Sequence, residues 1–533
     1  MNSDQFIIEL NQRHDLIDER EKPYFDSKKM FDLLSESVVD KRTLKLIEIQ
    51  ELFKAINNTE TSLGAARLFH SLHNPPSSLE LVLAKQQAVR EIDSNETLYN
   101  AIAEYLGNFS AREVDFWRFF NFHYAPIAPY GALKKGMEAI DSLLSPLSGL
   151  PAPESSYLIS LLSIITNFRK TNTHGLVNGP AFRTPGGIKT RKEKGWFTPS
   201  LRFRRGRISG GTIVPGLPSI GFAVAGLTGV VNSAVAESMV LLTGGGLLIG
   251  FLYGILLKPV FDNETAILSI RQRFLDSDSF ISTMEAIACL DELMSFCRYR
   301  KSNPQATVLP EITDTERHFF KAEGLCNPVI LAREKQFIPY DVSLDNTGIT
   351  FITGPNSGGK TTFCKTIAQN QILAQIGSPI PAKSAKINLA DCISYQAPAF
   401  DSLNDAEGRF GTELRTTKNI FLNTTPKSLI FLDEIAEGTT SHERMELSLS
   451  ILDGFLKKFN NTVLVTHNFE LADTFRKQDM GQYFQVEFKD NNPTHRMIEG
   501  ISRTSHAMRI AKKIGFSPED IHRHLVEEGY IQG

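Results

Sequence analysis

Near the middle of the chain, Gly354-Pro355-Asn356-Ser357-Gly358-Gly359-Lys360-Thr361 satisfies the spacing G-x-x-x-x-G-K-[ST] at every fixed position. Glycines at these points let backbone N–H groups close around a phosphate, and the helix that follows, opening with Thr361 and Thr362, turns its positive end toward the same anion. Lys360 has the reach for β- and γ-phosphate oxygens, and the Thr361 hydroxyl is a ligand for Mg²⁺. The flanking text fits this chemistry, because GITFIT predicts a strand before the loop and TTFCKTIAQNQILAQI a helix after it. Further on, Ser428-Leu-Ile-Phe-Leu-Asp433-Glu434 is an apolar strand that runs into two acids. Asp433 can hold the metal, while Glu434 can orient or deprotonate an attacking water. A third apolar strand, Val463-Leu-Val-Thr466-His467, ends in a polar pair suited to sensing a γ-phosphate. The sequence thus implies ATP and Mg²⁺, with Glu434, His467 and Lys360 as catalytic candidates and Thr361 and Asp433 as metal ligands.

Such residues need a sheet to carry them. From residue 306 to about 503, short β-rich runs alternate with helical ones, which predicts an α/β domain with a largely parallel sheet. Residues 1–169 read as helical, with apolar positions recurring every three or four residues, and residues 259–305 return to that pattern. The tail, 504–533, is helical again, with Ser517 and Pro518 as N-cap and first-turn residues. Five scattered cysteines lack the spacing of a zinc site and read as reduced thiols, and no export signal is visible.

The chain has 533 residues, 41% of them hydrophobic, and 57 basic against 60 acidic side chains, which excludes a disordered or strongly basic protein. The formal charge of −3 conceals an asymmetry. Residues 170–207 carry ten basic side chains and one acid, Glu193, so this stretch is +9 and the remainder −12. Rich in Gly and Pro, it reads as a basic linker that meets a polyanion or an anionic membrane. Residues 208–258 follow with almost no charge, interrupted by Glu237. The run from Ser238 to Leu257 would reach about 30 Å as a helix, the thickness of a bilayer core. This segment predicts an apolar helical hairpin, anchored in the inner or cytoplasmic membrane with both ends on the cytoplasmic side. A glycine-rich helical pair buried in protein is the alternative.

At its loop and strand motifs the sequence resembles the MutS family of DNA mismatch-repair ATPases. GPNSGGKTT is close to that family's phosphate loop, where Asn356 is distinctive. LDEIAEGTTSHERMELSLSIL resembles its metal-binding strand and the following dimer-contact loop, and VTHNFELAD its histidine switch. NPVILAREKQFIPYDV looks like the segment that brackets the adenine, which makes Phe337 and Ile338 candidates for base stacking. DKRTLKLIEI, NNTETSLGAARLFHSLHNPP and SFISTMEAIACLDELMSF are similar to the family's helical core and lever, so the likeness covers roughly residues 35–135 and 265–530. The implied fold is an ABC/MutS-type P-loop ATPase domain preceded by an all-α core and lever domain.

Departures accompany the likeness. Where the family's signature region has a Ser-Thr pair, this chain has Gly408-Arg409, and only Phe410 and Glu413 keep the pattern. The family's Ser helps reach the nucleotide of the partner subunit, so Arg409 could supply charge in trans or could be a plain surface cation. The text starts in the helical core, lacks the base-wedging Phe-x-Glu triplet, and carries the basic stretch and apolar run where the family has a DNA-gripping clamp. The resemblance implies a homodimeric ATPase with composite nucleotide sites, whose levers act on DNA. A membrane-anchored mechanical ATPase with its output at the bilayer is the competing expectation; a transporter fits less well, since no L-S-G-G-Q-type signature precedes the Asp433 strand.

Overall fold

The computed structural model describes residues 38–121, 129–143, 150–206, 224–230, 232–303, 307–334, 337–345, 348–355, 358–398, 408–436, 440–489, 492–503, 511–512 and 514–531. The chain divides into two compact units. Among the described residues, one comprises those within 59–67 and 88–295; the other comprises those within 38–58, 68–87 and 296–531.

Within its described residues, the first unit is mainly helical. Its interior is built on phenylalanines: Phe109, Phe116, Phe120, Phe168, Phe274 and Phe280 are all buried, and edge-to-face or tilted ring contacts link them, Phe274 and Phe280 at 5.2 Å for example. Two buried carboxylates fix the start of helix Ser62–His73. Asp291 accepts the Thr61 N–H at 2.8 Å and Glu113 accepts the Ser62 N–H at 3.0 Å, which satisfies donors that a helix N-terminus leaves without intrahelical partners. Gly64 is required there, because a Cβ would lie 2.1 Å from Asp291 Oδ2.

The basic stretch proves to be more than a linker. It folds into a small antiparallel sheet of β1 (Ala181–Thr184), β2 (Gly187–Thr190) and β3 (Leu201–Arg202), with β1 central. The membrane expectation also changes. Among the described residues no helix is long and apolar enough to cross a membrane, which overturns both the inserted hairpin as a transmembrane element and the localisation built on it. The first part of that hairpin, residues 208–223, lies outside the described residues. The second part forms helix Ser233–Leu252, which includes Glu237 and three consecutive glycines. It continues through a π-helical turn, Tyr253–Leu257, into Lys258–Asp262. There Asp262, 4% exposed, pairs with Arg183 and Lys258 and accepts the Tyr130 hydroxyl proton at 2.5 Å. A run free of charge in the sequence therefore belongs to a longer helical stretch that passes through a buried ion cluster at Asp262. Length without charge measured composition, not a span.

The second unit is α/β. Its main sheet contains β7 (Ile349–Thr353), β9 (Ile393–Gln396), β10 (Leu429–Asp433), β11 (Asn461–Thr466), β12 (Gln482–Lys489) and β13 (Asn492–Glu499), in the order β13-β12-β7-β11-β10-β9. Every pairing from β12 to β9 is parallel, and β13 closes the edge as an antiparallel hairpin with β12. Continuous apolar text such as Leu429-Ile-Phe-Leu432 suits a strand covered on both faces, and those four residues are buried. A second sheet has the order β4-β8-β5-β6, with β4 (Glu311–Thr313), β5 (Phe320–Leu325), β6 (Tyr340–Leu344) and β8 (Ser384–Asn388). Labelled helices are α1 (Lys360–Gln375), α2 (Gly408–Asn423), α3 (Ser441–Lys457), α4 (Phe469–Lys477) and α5 (Pro518–Glu527). Ser517 caps α5 with a reciprocal Asp520 capping box, as the tail sequence predicts.

Residues 38–58 belong to this unit and clasp α1. The Gln369 side chain donates to Ile47 O at 2.7 Å, and Lys365 pairs with Glu48 at 2.8 Å. Behind the sheet His318 is buried between two amides. Its Nδ1 faces Asn461 Nδ2 at 3.0 Å and its Nε2 faces Gln371 Oε1 at 3.2 Å, an arrangement satisfied by the neutral ring that accepts from Asn461 and donates to Gln371. Burial pushes its pKa down from 6.5 to about 4. The unfolded chain then binds the proton first as pH falls, so stability is lost between these values and is full above 6.5. We expect the α/β unit to lose roughly 3 kcal/mol between about pH 6.5 and pH 4 from this group, read as a falling urea midpoint that flattens in His318→Gln. A wild-type slope equal to the variant's would contradict it.

Candidate active site

β7 delivers the loop, and α1 receives it. Gly354, at φ +129°, turns the chain out of β7, and Gly359, at φ +88°, is the residue before the first helical position, Lys360; both angles lie where a side chain is strained. Gly358 is needed for a different reason. A Cβ there would lie 2.6 Å from Val486 Cγ2, and one on Gly354 would lie 3.3 Å from the same atom, so the β12 side chain packs directly against the loop's glycines. Pro355 is buried beside them and Thr362 half-buried on the first turn of α1. Asn356 and Ser357 lie outside the described residues.

Lys360 is 2% exposed and its Nζ donates to Gly354 O at 2.5 Å, curling back over the loop that precedes it. Desolvation pulls its pKa down from 10.5 to about 8, against the pull of Glu434 and Asp433, which favour the charged form. Thr361 Oγ1 lies 3.4 Å from Asp433 Oδ2. A hydroxyl and a carboxylate this close, at the end of a parallel strand and beside a helix N-terminus, form a hard oxygen set that fits Mg²⁺.

Glu434 stands one residue past β10 in the left-handed region, at φ +61°, as does Ala436 at φ +58°. Such conformations in non-glycine residues cost about 1–3 kcal/mol each and persist where surroundings enforce them. Here the restraints are visible. Glu434 N donates to Val465 O at 2.9 Å, and the carboxylate accepts the His467 N–H at 2.6 Å and the Thr466 hydroxyl at 3.1 Å. The acid after β10 and the polar pair after β11 are thus one hydrogen-bonded group. Burial, then the charge of Lys360, lowers the pKa of His467, so its ring favours the neutral form.

The remaining candidates divide. Phe337 packs edge-on against Tyr340 at 5.4 Å, and Tyr340 Oη would lie 3.9 Å from a Cβ on Gly359, so Phe337 is near the loop. Ile338 is 37% exposed next to it. Glu413 is buried on α2 and accepts the Ala436 N–H at 2.5 Å, which ties it to the segment behind Glu434. Arg409 stands in the first turn of α2, and its side chain lies outside the described residues. Sequence reasoning missed two residues. Val486 forms the floor under the glycines, and His495 Nδ1 would lie 3.5 Å from a Cβ on Gly359, on the opposite hairpin strand at φ +59°. Neither carries a local motif; only the β12–β13 pairing brings them to the loop.

A glycine loop between a parallel strand and a helix, with a buried lysine, a Thr–Asp oxygen pair and a strapped glutamate at the ends of adjacent strands, has the layout of a P-loop in an α/β domain. Comparison with known proteins narrows the class. Residues 350–527 match the family model of MutS domain V. The chain is 31% identical over 252 residues to the DNA mismatch repair protein MutS of Prochlorococcus marinus (strain AS9601), covering 45% of this chain and 28% of that protein. It is 32% identical over 259 residues to MutS of Myxococcus xanthus, with 45% and 28% covered, and 29% identical over 254 residues to the DNA mismatch repair protein msh3 of Aspergillus oryzae, with 44% and 22% covered. Over residues 350–527 the chain is thus similar to MutS domain V, and it spans about a quarter of the length of these relatives.

Lys360 gives this site a pH signature. Phosphate favours the charged amine, so a triphosphate bound to the loop would raise the pKa of Lys360 above its free value of about 8. If ATP is that triphosphate, its affinity is expected to be full below that value and to fall as pH rises through it, with calorimetry at about pH 9 in buffers of different ionisation enthalpy reading proton uptake on binding. Affinity that stays flat between about pH 7 and pH 9.5 would contradict this electrostatic account.

Proposed function

We propose that the α/β unit binds ATP with Mg²⁺ and hydrolyses it to ADP and phosphate. The observation that supports this most strongly is the convergence of Lys360, Asp433, Glu434, Thr466 and His467 at the carboxyl ends of three adjacent parallel strands. Thr361 and Asp433 would hold Mg²⁺, which when bound supplies charge neutralisation at the β- and γ-phosphate oxygens. Lys360 adds a fixed positive charge to the same oxygens. Glu434 orients water in line with the γ-phosphorus and accepts its proton as the new O–P bond forms and the bond to the β–γ bridging oxygen breaks. Thr466 and His467 hold the Glu434 carboxylate from the neighbouring strand, so a displacement of that strand end would move the base. Phe337 and Ile338 line the approach on the Tyr340 side of Gly359, where an adenine ring would find an apolar edge.

Two copies of the chain would complete the sites, with Arg409 at the start of α2 offered toward the nucleotide of the other copy. Turnover would then shift the helical segments that act on DNA. The relatives' name, DNA mismatch repair protein, supports a role related to that process for this chain. A deletion of the charge at the base tests the chemistry. Glu434→Gln is expected to keep ATP affinity within about threefold and to lose turnover by a factor of about 10² or more, in line with general-base contributions. Hydrolysis at the wild-type rate in that variant would remove Glu434 from the mechanism.

A further inference from the structure

In the +9 segment few of the cations are neutralised or spent internally. Arg183 pairs with Asp262, and Arg205 is spent on backbone carbonyls, donating to Val177 O at 2.7 Å and Gly179 O at 3.2 Å. The segment's one acid, Glu193, accepts from Thr190 N at 2.9 Å and pairs with Arg273. Arg191, Lys192, Arg202 and Arg204 remain exposed, with no ion pair among the described residues. Between them, on the β2–β3 connection, the Thr198 N–H donates to Gly195 O at 3.2 Å and closes a four-residue turn. Its two central positions are Trp196 and Phe197, each 92% exposed. A turn that closes behind two large rings presents their faces outward, and exposing both to water forfeits the burial that ordinarily holds aromatic residues inside.

We propose that this turn binds unpaired nucleic acid, with bases stacked on Trp196 and Phe197 and backbone phosphates held by Arg191, Lys192, Arg202 and Arg204. The inference rests on the reading of the chain as one that acts on DNA, and it adds a preference within that reading. A duplex hides its base faces in the stack and can satisfy only the cations, whereas a single strand offers a ring face and a phosphate at each nucleotide. That pairing of ring faces with phosphates suits two adjacent exposed rings flanked by cations on both sides, from Arg191 to Arg204. Sequence preference is expected to be weak, because stacking uses a face that every base has.

The test uses the full chain and a labelled oligothymidylate of about 20 nucleotides, with a duplex of the same length as comparison. Replacing both rings in Trp196→Ala/Phe197→Ala is expected to weaken single-strand binding about tenfold or more and duplex binding less than about twofold. Arg202→Gln/Arg204→Gln should weaken both and lower the dependence of affinity on salt. The chain has two tryptophans. The other, Trp117, donates to Ser62 Oγ at 2.9 Å, so in Trp117→Phe the remaining emission reports Trp196 and should be quenched by the oligonucleotide. Unchanged single-strand affinity in the double-ring variant, equal losses for single strand and duplex, or displacement of the oligonucleotide by anionic phosphatidylglycerol vesicles through the same rings would each overturn the proposal. ATP turnover measured in the same preparations keeps this failure distinct, since loss of the nucleotide reading appears as absent turnover in the wild-type chain.

Discussion

The rest of the α/β unit is arranged around one costly placement, an ammonium group held almost out of water. Lys360 is 2% exposed and bonded to a carbonyl of its own loop, and burial lowers its pKa even though two carboxylates stand near. A desolvated lysine is costly to hold, and the surrounding features keep it in place. Gly354 and Gly359 supply backbone angles that bend the loop over it, Val486 fills the space that any side chain on Gly358 would need, and α1 is clasped on its other side by residues 38–58. The carboxylates that partly offset the desolvation of Lys360 are the same groups that the proposed function assigns to a metal and to water activation. Folding and chemistry thus draw on one electrostatic arrangement.

Much of this was legible in the sequence because its signals are local. A strand, a glycine loop, a lysine and a helix follow one another without a break from Gly348 to Gln375, and local order is what spacing can report. The parallel sheet was legible for the same reason, since Leu429 to Leu432 and Val463 to Val465 are apolar runs too short for helices. What could not be read was contact across long separations. Val486 and His495 reach the loop only through the pairing of β12 with β7 and β13, and the strap from Thr466 and His467 to Glu434 depends on the register of β10 against β11.

Two expectations failed in a common way. Residues 170–207 look too polar and interrupted for a packed element, yet β1, β2 and β3 pair there, helped by an Arg183–Asp262 contact whose partners are far apart in the chain. Residues 238–257 look like a span because they lack charge. Their helix instead leads into a half-buried Lys258 and a buried Asp262, which pair with each other while Asp262 also meets Arg183. In both cases the compensating charge lay elsewhere in the chain. What is left over is a pair of outward-facing rings flanked by cations that have no ion pair among the described residues.

The central claim is that the loop, Asp433 and Glu434 form a hydrolytic nucleotide site. Single-turnover release of phosphate from ATP by the purified chain, with Mg²⁺ and then with the metal chelated, tests it most directly. The account predicts phosphate release that requires Mg²⁺ and is lost in Lys360→Ala. ATP that remains intact under both conditions, or release that persists without the metal and without Lys360, would contradict it.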